Sequence, residues 1–464
     1  MQRNVILLTD SYKTAHYKMY PPNTTLTYFY FTSRRKAKWS DTILFALQYV
    51  MQEYLSGPVV TQENIDFAES YLDRHIGKGV FNREGWQYIL DQHAGTLPLC
   101  IKALPEGSRF PTGVPGFVVY NTDPKAYWLP GYLEPLFDQL WYPCTVATQS
   151  LEFRKLISSY LVKTGTPELI DYKLHDFGFR GVTCVQQGEI GAAAHLLSFN
   201  GIDTMVGDLM LMDYYKSPGR GQSIPAAEHS TITSWGQTRE ALAYENMLTQ
   251  FPDGLVAVVS DSYNIYEACD KIWGILLKQK VADRNGTLVI RPDSGDPEET
   301  LNKVFNILGE RFGFTVNSKG YKVLPPYLRI IQGDGVDYNS VRSILQGMQY
   351  RGWSADNIAF GSGGAVLQKM NRDTQDIAYK LCYTQNRFGE ISVSKNPVGD
   401  PGKQSEGGIL GTSWNPVKNV YETVQKDAVW ETCALETVYE NGDILCPQSY
   451  SDIAERVRGY GYAT

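Results

Sequence analysis

The chain has 464 residues, which is longer than one hydrophobic core usually grows, so we expect two domains or one large, elaborated α/β domain. Hydrophobic residues make up 43% and charged residues 20% of the sequence, a composition that excludes a fibrous or intrinsically disordered chain. The net charge of −7 is spread along the sequence and argues against a nucleic-acid-binding protein.

The N-terminal apolar run ends after about five residues, which is too short for the apolar region of a signal peptide. No segment approaches the apolar length of a membrane span. The seven cysteines are scattered and form no C-x-x-C pair, which argues against a structural zinc site. We therefore expect a reduced, soluble, cytoplasmic protein.

The first 145 residues contain an aromatic-rich run, TLTYFYFTS at 25–33, and turn signals such as YPPN. The tail after residue 385 again consists of short β-type runs and polar loops. Because chain termini commonly lie close together, we predict one β-rich α+β domain from residues 1–145 plus 385–464. Residues 146–384 would form the other domain.

One local cluster of positive charge stands out in this first part of the chain. It comprises Arg34, Arg35, Lys36 and Lys38. A solvated surface loop is the commoner role of such a cluster, and a site for an anionic ligand is the alternative. The charge pattern alone leaves both interpretations open.

Residues 175–182, HDFGFRGV, combine a histidine, an aspartate, two phenylalanines and an arginine with two glycines. Unpaired charges are costly in a core, so this composition favours a site. At a strand end, Phe177 could stack on a flat ligand while Arg180 donates hydrogen bonds to it. The alternative is a core phenylalanine and a surface arginine. We expect Phe179 to be a core residue.

Asp203 and His229 follow in chain order. Asp203, in NGIDT, has the pattern of a turn residue. His229, in PAAEHSTITSWG, follows Glu228 and precedes a helical pattern, so the sequence allows either a carboxylate-supported functional histidine or a structural one. The other histidines show no metal-ligand spacing, and we predict no metal site made of protein residues alone.

From about residue 255 the sequence alternates β-branched runs with helix-length segments. The runs are LVAVVSDSYN (255–264), TLVIRPDSGDP (287–297), LRIIQGDGVD (328–337) and NIAFGSGG (357–364). Such alternation predicts βα units around a parallel sheet that is buried on both faces. We predict an α/β fold with an irregular (β/α) barrel over residues 146–384, and an open doubly wound sheet is the alternative.

Polar residues lie at the carboxyl ends of these predicted strands, which meet at one mouth of a barrel. GSGG at 361–364 is predicted to precede a helix, whose N-terminal N–H groups and the nearby Arg291 would favour a phosphate. A plain tight turn is the alternative. Asp293 and Asp334 could hold sugar hydroxyls or a metal, or could cap the helices that follow them.

Eight segments in the same order closely resemble the nicotinamide phosphoribosyltransferase family. They are TDSYKTAHYKMYPPNT, HDFGFRG, IPAAEHSTITSWG, VVSDSY, IRPDSG, NSKGYKVLPPYLRIIQGDGVD, WSADNIAFGSGG and LQKMNRD. The resemblance implies a type II phosphoribosyltransferase of NAD salvage, which makes nicotinamide mononucleotide and pyrophosphate from nicotinamide and phosphoribosyl pyrophosphate. It also implies magnesium held through the substrate pyrophosphate, ATP as a co-substrate, and a homodimer whose active sites lie at the subunit interface.

The resemblance further assigns roles to individual residues. Nicotinamide would be held by Phe177, Arg180, Asp203 and Tyr12 of the partner subunit. The ribose and its 5′-phosphate would be held by Arg291, Asp293, Gly333, Asp334, Gly363 and Gly364. Pyrophosphate would be held by Arg34, Arg372 and Lys380. His229 corresponds to the histidine that ATP phosphorylates in this family, and Asp261 is a candidate supporting carboxylate beside Asp293 and Asp334 in the catalytic set.

The sequence departs from the family pattern at four places. Phe179 stands where the family often has tyrosine, Ala365 replaces a third glycine, Ala378 stands where a serine hydroxyl can assist pyrophosphate binding, and the segment after Arg34 is shorter than in the animal enzymes. A nicotinate phosphoribosyltransferase is the first alternative function, although a carboxylate at position 203 would repel the acid. A non-catalytic nucleotide-binding relative is the second, and the intact set of charged residues argues against it.

Overall fold

The computed structural model describes residues 4–396, 405–425 and 432–461. By its internal contacts the chain forms two compact units. The first unit comprises Met1–Thr148, Asp213–Lys216 and Met370–Val457, and the second comprises Gln149–Met212, Ser217–Lys369 and Arg458–Thr464. In the described residues, no helix is both long enough and apolar enough to cross a membrane.

The strands of the described residues are β1 (Leu26–Ser33), β2 (Asp41–Ile43), β3 (Leu99–Ala103), β4 (Arg109–Pro111), β5 (Phe117–Asn121), β6 (Leu174–Asp176), β7 (Asp253–Val259), β8 (Asn285–Arg291), β9 (Thr315–Val316), β10 (Lys322–Val323), β11 (Leu328–Gln332), β12 (Ile358–Ser362), β13 (Ile377–Asn386), β14 (Gly389–Ser392), β15 (Leu410–Asn415), β16 (Val420–Gln425), β17 (Glu436–Glu440) and β18 (Asp443–Ile444). The longer helices are α1 (Gln62–His75), α2 (Arg83–His93), α3 (Trp141–Thr164), α4 (Val185–Leu196), α5 (Met205–Tyr215), α6 (Glu240–Gln250), α7 (Pro297–Phe312), α8 (Tyr338–Tyr350) and α9 (Tyr450–Gly459).

The first unit is built on a seven-stranded antiparallel sheet in the order β14-β13-β1-β5-β3-β17-β18. The aromatic run of β1 is buried from Thr27 onward, because β-branched and aromatic side chains pack well on a pleated surface. Its rings stack on neighbouring strands, Phe31 on Phe117 at 4.6 Å between centroids and Phe29 on Tyr379 at 5.0 Å. These strands come from both ends of the chain, although β13 begins at Ile377, within the range predicted for the other domain.

The second unit contains a five-stranded parallel sheet in the order β6-β12-β11-β8-β7. The helical segments that follow the strands are α7 after β8, α8 after β11, and residues 265–276 after β7. On the sheet, Ala257, Val289 and Ile331 form a buried cluster against which Phe177 packs. This cluster is the apolar floor beneath the polar strand ends.

Short segments carry the curl of this sheet from β6 round to β7. Single parallel bridges join Asp176 to Ile202, Gly201 to Gln222, and Ala226 to Ala257. Because these pairs are isolated bridges and not full strands, the barrel is irregular. The predicted fold class, an irregular (β/α) barrel with a β-rich α+β domain from both chain ends, is confirmed.

The prediction that a helix follows GSGG is wrong. Residues 365–368 form a turn, in which the backbone N–H groups of Gln368 and Lys369 both donate to the carbonyl of Gly364, at 2.9 and 3.1 Å. This segment of the second unit ends at Lys369, so the chain completes only one turn before it enters the first unit. Any phosphate at this loop would therefore meet a turn and not the N-terminus of a regular helix.

Candidate active site

The segment that carries Phe177 continues directly from β6. The N–H of Phe177 donates to the carbonyl of Ser362 at 3.0 Å, so the residue runs alongside the end of β12. Its ring lies against Gly361, where an added Cβ would overlap the ring carbons. A glycine is therefore needed at position 361 to let this aromatic ring lie flat on the strand.

After Phe177 the chain turns sharply around Gly178. The N–H of Gly178 donates to Oδ1 of Asp176 at 2.7 Å, and a 3-10 turn then spans Phe179–Gly181. Asp176 is fully buried, and burial raises the pKa of its carboxyl to about 6. The expectation that Phe179 belongs to the core is wrong, because this turn leaves its side chain 42% exposed and places it in the wall of the pocket.

Asp203 lies beside this turn and is held at two points. Its N–H donates to the carbonyl of Asp176 at 2.9 Å, and Oδ1 accepts from the hydroxyl of Ser223 at 2.5 Å. Ser223 therefore orients the carboxylate and leaves Oδ2 for a ligand. No pattern in the sequence marks this serine, because it comes from a separate short segment that joins the barrel through the single bridge between Gly201 and Gln222.

His229 begins a short helix, His229–Thr233, and faces two aspartates from neighbouring strand ends. Its Nε2 lies 3.0 Å from Oδ1 of Asp261, and its Nδ1 lies 3.9 Å from Oδ2 of Asp293. Oδ2 of Asp261 accepts from the N–H of Asp293 at 3.1 Å. A carboxylate only accepts hydrogen bonds, so Nε2 carries a proton in its contact with Asp261, and Nδ1 faces Asp293.

Arg291 and Asp293 follow β8 and lie close to each other and to the end of β11. Nη2 of Arg291 is 3.7 Å from Oδ2 of Asp293, and a Cβ at Gly333 would lie 2.7 Å from Oδ1 of Asp293. Burial raises the pKa of Asp293, and the neighbouring Asp261 acts in the same direction while Arg291 opposes it.

Helix capping does not account for the predicted aspartates. α7 is capped by Asp296, whose side chain accepts from Glu299 N–H, and α8 is capped by Asp337 through a capping box with Ser340. Each capping aspartate lies three residues beyond the predicted site residue. Asp293 and Asp334 are thus left for another role.

These side chains surround one cavity of about 790 Å³ in the second unit. Its lining residues are Phe177, Phe179, Arg180, Asp203, Thr204, Ala226, Ala227, Glu228, His229, Ser230, Arg291, Asp293, Gly333 and Gly363. Seven of the sequence-predicted residues of this unit meet here besides Gly363. Asp334 and Gly364 are chain neighbours of the lining residues Gly333 and Gly363, and Asp261 lies against the lining residue His229. Ser230 and Thr204 were missed, because polar residues in turns carry no distinctive pattern. Glu228 also lines the cavity, but its carboxylate accepts from the hydroxyl of Ser230, and the carboxylate that supports His229 is that of Asp261.

The residues assigned to pyrophosphate lie in the first unit. Arg34 and Lys380 line a groove of about 520 Å³ together with Arg35, Ala378 and Lys395. Lys395 was missed by the sequence reasoning, although it lies in the polar loop that follows β14. The groove therefore gathers four cationic side chains, as an anion site requires.

Carboxylates accompany these cations. Nη2 of Arg34 lies 2.5 Å from Oδ1 of Asp376, and Nη1 of Arg372 lies 3.4 Å from Oδ2 of Asp138. Lys380 is 3.9 Å from Glu134. Tyr12, also in this unit, is 57% exposed, and its ring lies 5.1 Å from that of His16 between centroids.

The second-unit cavity combines the parts that a group transfer to a flat base would need. Phe177 offers an aromatic face, Asp203 an acceptor, Arg291 a cation, and Asp293 a partly buried carboxylate. Carboxylate oxygens are also the ligands that Mg²⁺ prefers, although no group of three His, Cys, Asp or Glu in the described part of the chain is arranged to hold a metal. Such a set can position two reactants and stabilise positive charge between them.

Known proteins are similar to this chain over nearly its whole length. Residues 172–431 match the nicotinate phosphoribosyltransferase family, and residues 4–101 match the nicotinamide phosphoribosyltransferase N-terminal domain. The nicotinamide phosphoribosyltransferase of Xanthomonas campestris pv. campestris is 45% identical over 451 residues, which cover 95% of each chain. That of Acinetobacter baylyi is 30% identical and covers 98% of this chain and 97% of its own.

Two solved structures share the fold. The nicotinate-nucleotide pyrophosphorylase from Pyrococcus furiosus superposes with a TM-score of 0.59 at 14% identity, over 99% of this chain and 96% of its own. The human nicotinic acid phosphoribosyltransferase superposes with a TM-score of 0.53 at 16% identity, over 98% of this chain and 93% of its own. At these identities the likeness concerns the fold alone.

Proposed function

Because this chain belongs to the nicotinamide phosphoribosyltransferase family, we propose that its second-unit cavity transfers the phosphoribosyl group of phosphoribosyl pyrophosphate to nicotinamide. The products are nicotinamide mononucleotide and pyrophosphate, and the reaction returns nicotinamide to NAD synthesis. The observation that carries the proposal is the meeting of Phe177 and Asp203 with Arg291 and Gly363 in one cavity. A flat amide and a phosphate thus find matching partners in the same site.

Recognition of the amide falls to three side chains. Phe177 stacks on the pyridine ring, and Arg180 and Asp203 contact the carboxamide. The carboxylate of Asp203, held by Ser223, accepts an N–H from the amide. Nicotinate has no N–H to donate and carries a negative charge, so the same carboxylate repels it.

The phosphoribosyl group lies at the ends of β8, β11 and β12. Arg291 and the backbone at Gly363 and Gly364 bind the 5′-phosphate, since a guanidinium and close-lying N–H groups both donate to phosphate oxygens. Asp293 and Asp334 accept from the ribose hydroxyls, and Gly333 allows the sugar to approach the backbone closely.

The chemistry is displacement at the anomeric carbon. The bond from this carbon to the pyrophosphate oxygen breaks, and the pyridine nitrogen supplies the electron pair of the new C–N bond. The transition state resembles an oxocarbenium ion, as in glycoside hydrolysis, and carboxylates such as Asp293 stabilise its positive charge. The pyridine nitrogen is a free base, so no residue needs to remove a proton.

Arg34, Arg372 and Lys380 bind the departing pyrophosphate, and the position of Lys395 in the same groove as Arg34 and Lys380 adds a fourth cation. Magnesium bound to the pyrophosphate oxygens would reduce the charge of the leaving group. A magnesium ion that enters on substrate phosphates needs only one or two carboxylates from the protein. Because alanine at position 378 offers no hydroxyl to the pyrophosphate, its binding depends on these cations.

We propose a homodimer in which the first unit of one copy supplies Tyr12 and Arg34 to the second-unit cavity of its partner. Support comes from an apolar stripe on α5, formed by Met205, Leu209 and Met212. These side chains are 76%, 54% and 45% exposed, and their spacing places them on one helix face. A second copy of the chain would cover this face. We place the protein in the cytoplasm, where its seven thiols stay reduced.

ATP acts as a co-substrate through His229. The proton on Nε2 is held by Asp261, so Nδ1 attacks the terminal phosphorus of ATP, an N–P bond forms, and the bond to ADP breaks. His229 is 46% exposed and accessible to the nucleotide. Hydrolysis of the phosphohistidine would then accompany product formation.

Two other functions remain to be distinguished by experiment. A nicotinate phosphoribosyltransferase would use the same fold but accept the acid, against the charge of Asp203. A non-catalytic relative would keep the cavity but lack turnover. In that case Asp293 would not need to stand beside Arg291 in the cavity.

The test measures mononucleotide formation from phosphoribosyl pyrophosphate and magnesium, with nicotinamide or nicotinate, each with and without ATP. We expect product mainly from nicotinamide, at a rate that ATP raises. Asp293→Asn serves as the matched inactive control, since it keeps the size of the side chain but removes its charge. Product mainly from nicotinate would identify the protein as a nicotinate phosphoribosyltransferase. No product from either base would favour the non-catalytic relative.

A further inference from the structure

Gln368 lies in the turn that follows the glycine-rich loop and is not among the residues that line the cavity. Its Nε2 donates to the carbonyl of Gly178 at 2.5 Å, and its own N–H donates to the carbonyl of Gly364 at 2.9 Å. One residue therefore connects the base-binding turn, residues 177–181, to the phosphate-binding loop, residues 361–364. These two segments are almost two hundred positions apart in the sequence.

Three glycines make room for this side chain. A Cβ at Gly181 would overlap Oε1 of Gln368, and a Cβ at Gly178 would lie 3.0 Å from its Nε2. A Cβ at Gly364 would lie 3.3 Å from Oε1. None of the three glycines has a positive φ, so the backbone conformation does not require glycine at these positions. A side chain there would instead collide with the Gln368 amide.

The peptide groups at Gly178 are held from both sides. Its N–H donates to the buried carboxylate of Asp176 at 2.7 Å, and its carbonyl accepts from Gln368. Phe177 precedes this glycine and Arg180 follows it by two residues. Fixing Gly178 therefore sets where both side chains lie relative to the loop that carries Gly363.

We infer that Gln368 is a positioning residue. It holds the base-binding turn against the phosphate-binding loop, so that the pyridine nitrogen of nicotinamide is aligned with the anomeric carbon of the sugar. This inference rests on the proposed function of the cavity. Each substrate alone keeps its own contacts when Gln368 is lost, because Gln368 does not line the cavity. The two bound reactants are instead misaligned relative to each other, and the rate of transfer falls because it depends on their alignment.

The first experiment replaces Gln368 by methionine, which keeps the length of the side chain but cannot donate to Gly178. We expect kcat to fall by roughly 10- to 100-fold while the dissociation constants of nicotinamide alone and of phosphoribosyl pyrophosphate with magnesium change by less than about threefold. Gln346→Met, at an exposed position on α8, is the matched control and should behave as the unmodified protein. An unchanged kcat in folded Gln368→Met protein would overturn the inference.

A double-mutant cycle keeps the inference testable if Gln368→Met loses stability. Gly181→Ala alone should push the Gln368 amide away from Gly178 and lower kcat to a similar degree. Combined with Gln368→Ala, the same change should cost little more than Gln368→Ala alone, because the clash partner is gone. Fully multiplicative losses would contradict the inference.

The binding measurements separate this inference from the function it rests on. If unmodified protein binds neither nicotinamide nor phosphoribosyl pyrophosphate, the proposed function fails whatever the variants do. A second outcome is that the unmodified protein binds both substrates and turns them over, while the Gln368 and Gly181 variants lose affinity for one substrate and keep the same kcat. That result would place Gln368 within one subsite and refute the positioning role.

Discussion

Nε2 of His229 donates to Oδ1 of Asp261 across 3.0 Å, and the other oxygen of this carboxylate accepts the N–H of Asp293 at 3.1 Å. The side chain of Asp261 is only 3% exposed. One buried carboxylate thus connects the histidine proposed to react with ATP to the backbone of the residue proposed to hold ribose. The link is within the second unit and needs no movement to form.

Asp261→Asn should abolish most of the ATP stimulation. An amide can donate to Nε2 as well as accept from it, so His229 would no longer be held with the proton on Nε2. We expect the ATP-dependent increase in rate to fall by about tenfold or more, with some basal synthesis retained. The measurement compares initial rates with and without ATP, and ³²P transfer to the protein from labelled ATP. His229→Ala provides the reference for complete loss, and full stimulation in that variant would refute the role of the histidine.

Asp203→Asn should weaken the preference for the amide over the acid. An asparagine still accepts one hydrogen bond but no longer repels the carboxylate of nicotinate, so we expect the ratio of kcat/KM values to fall by about tenfold or more. Competition between the two bases in one reaction mixture measures this ratio. Asp213→Asn, an exposed carboxylate on α5, is the control, and unchanged discrimination in Asp203→Asn would remove Asp203 from base selection.

Gly361→Ala should impair nicotinamide binding through Phe177. The new methyl group would overlap the aromatic ring, which must rotate or shift away from its place on the strand. We expect the KM for nicotinamide to rise by about tenfold, with a loss of roughly 1–3 kcal/mol in stability. Gly459→Ala on α9 is the control, since nothing lies within 4 Å of its added Cβ. A normal KM in folded Gly361→Ala protein would show that the ring position does not matter.

The octet HDFGFRGV illustrates what the sequence could predict and what it could not. Phe177 and Arg180 were placed at a strand end, because charged and aromatic residues after a β-type run rarely suit a core. Phe179 was misplaced, since a 3-10 turn begins at that residue and ends the alternation on which a burial prediction depends. The placement of Asp293 in the site was predicted because the carboxyl ends of the strands meet at one mouth in every parallel barrel.

Long-range contacts account for the rest of what the sequence did not predict. Ser223 orients Asp203 from a segment 20 residues away, and Gln368 reaches Gly178 from 190 residues away. Neither contact has a local pattern, because both depend on how the barrel brings strand ends together. Helix capping likewise stays open as a role for Asp293 in the sequence alone, and the start of α7 shows that Asp296 is the cap instead.

Asp138 predicts a pH dependence of stability in the first unit. Burial, and next the carboxylate of Glu134, raise the pKa of Asp138 to about 6, above the ordinary value that it regains in the unfolded chain. Its stabilising contribution, relative to a neutral side chain, is therefore full below about pH 4 and is lost as the pH rises through 6. The loss should approach 2–3 kcal/mol, by about 1.4 kcal/mol per tenfold change in proton affinity.

The measurement compares urea unfolding midpoints of unmodified protein and Asp138→Asn from pH 4 to pH 7. Asparagine stays neutral, so we expect the unmodified protein to lose stability relative to the variant between pH 4 and pH 6, and the difference to level off above that. A difference that does not vary with pH would mean that Asp138 titrates near its ordinary pKa and that Arg372 compensates fully for burial.

Mixing two inactive variants tests whether the active site is shared between subunits. Arg34→Ala removes a pyrophosphate contact from the first unit, and Arg291→Ala removes a phosphate contact from the second. If each site combines the second unit of one copy with the first unit of its partner, a mixed dimer carries both lesions in one site and none in the other. Equal mixing with free exchange then restores about a quarter of full activity, because half of the dimers are mixed and each has one intact site of two. If both residues act within one copy, every site carries a lesion and the mixture stays inactive. Exchange is verified by native mass spectrometry of the mixture, so inactivity with confirmed mixed dimers would refute the shared site.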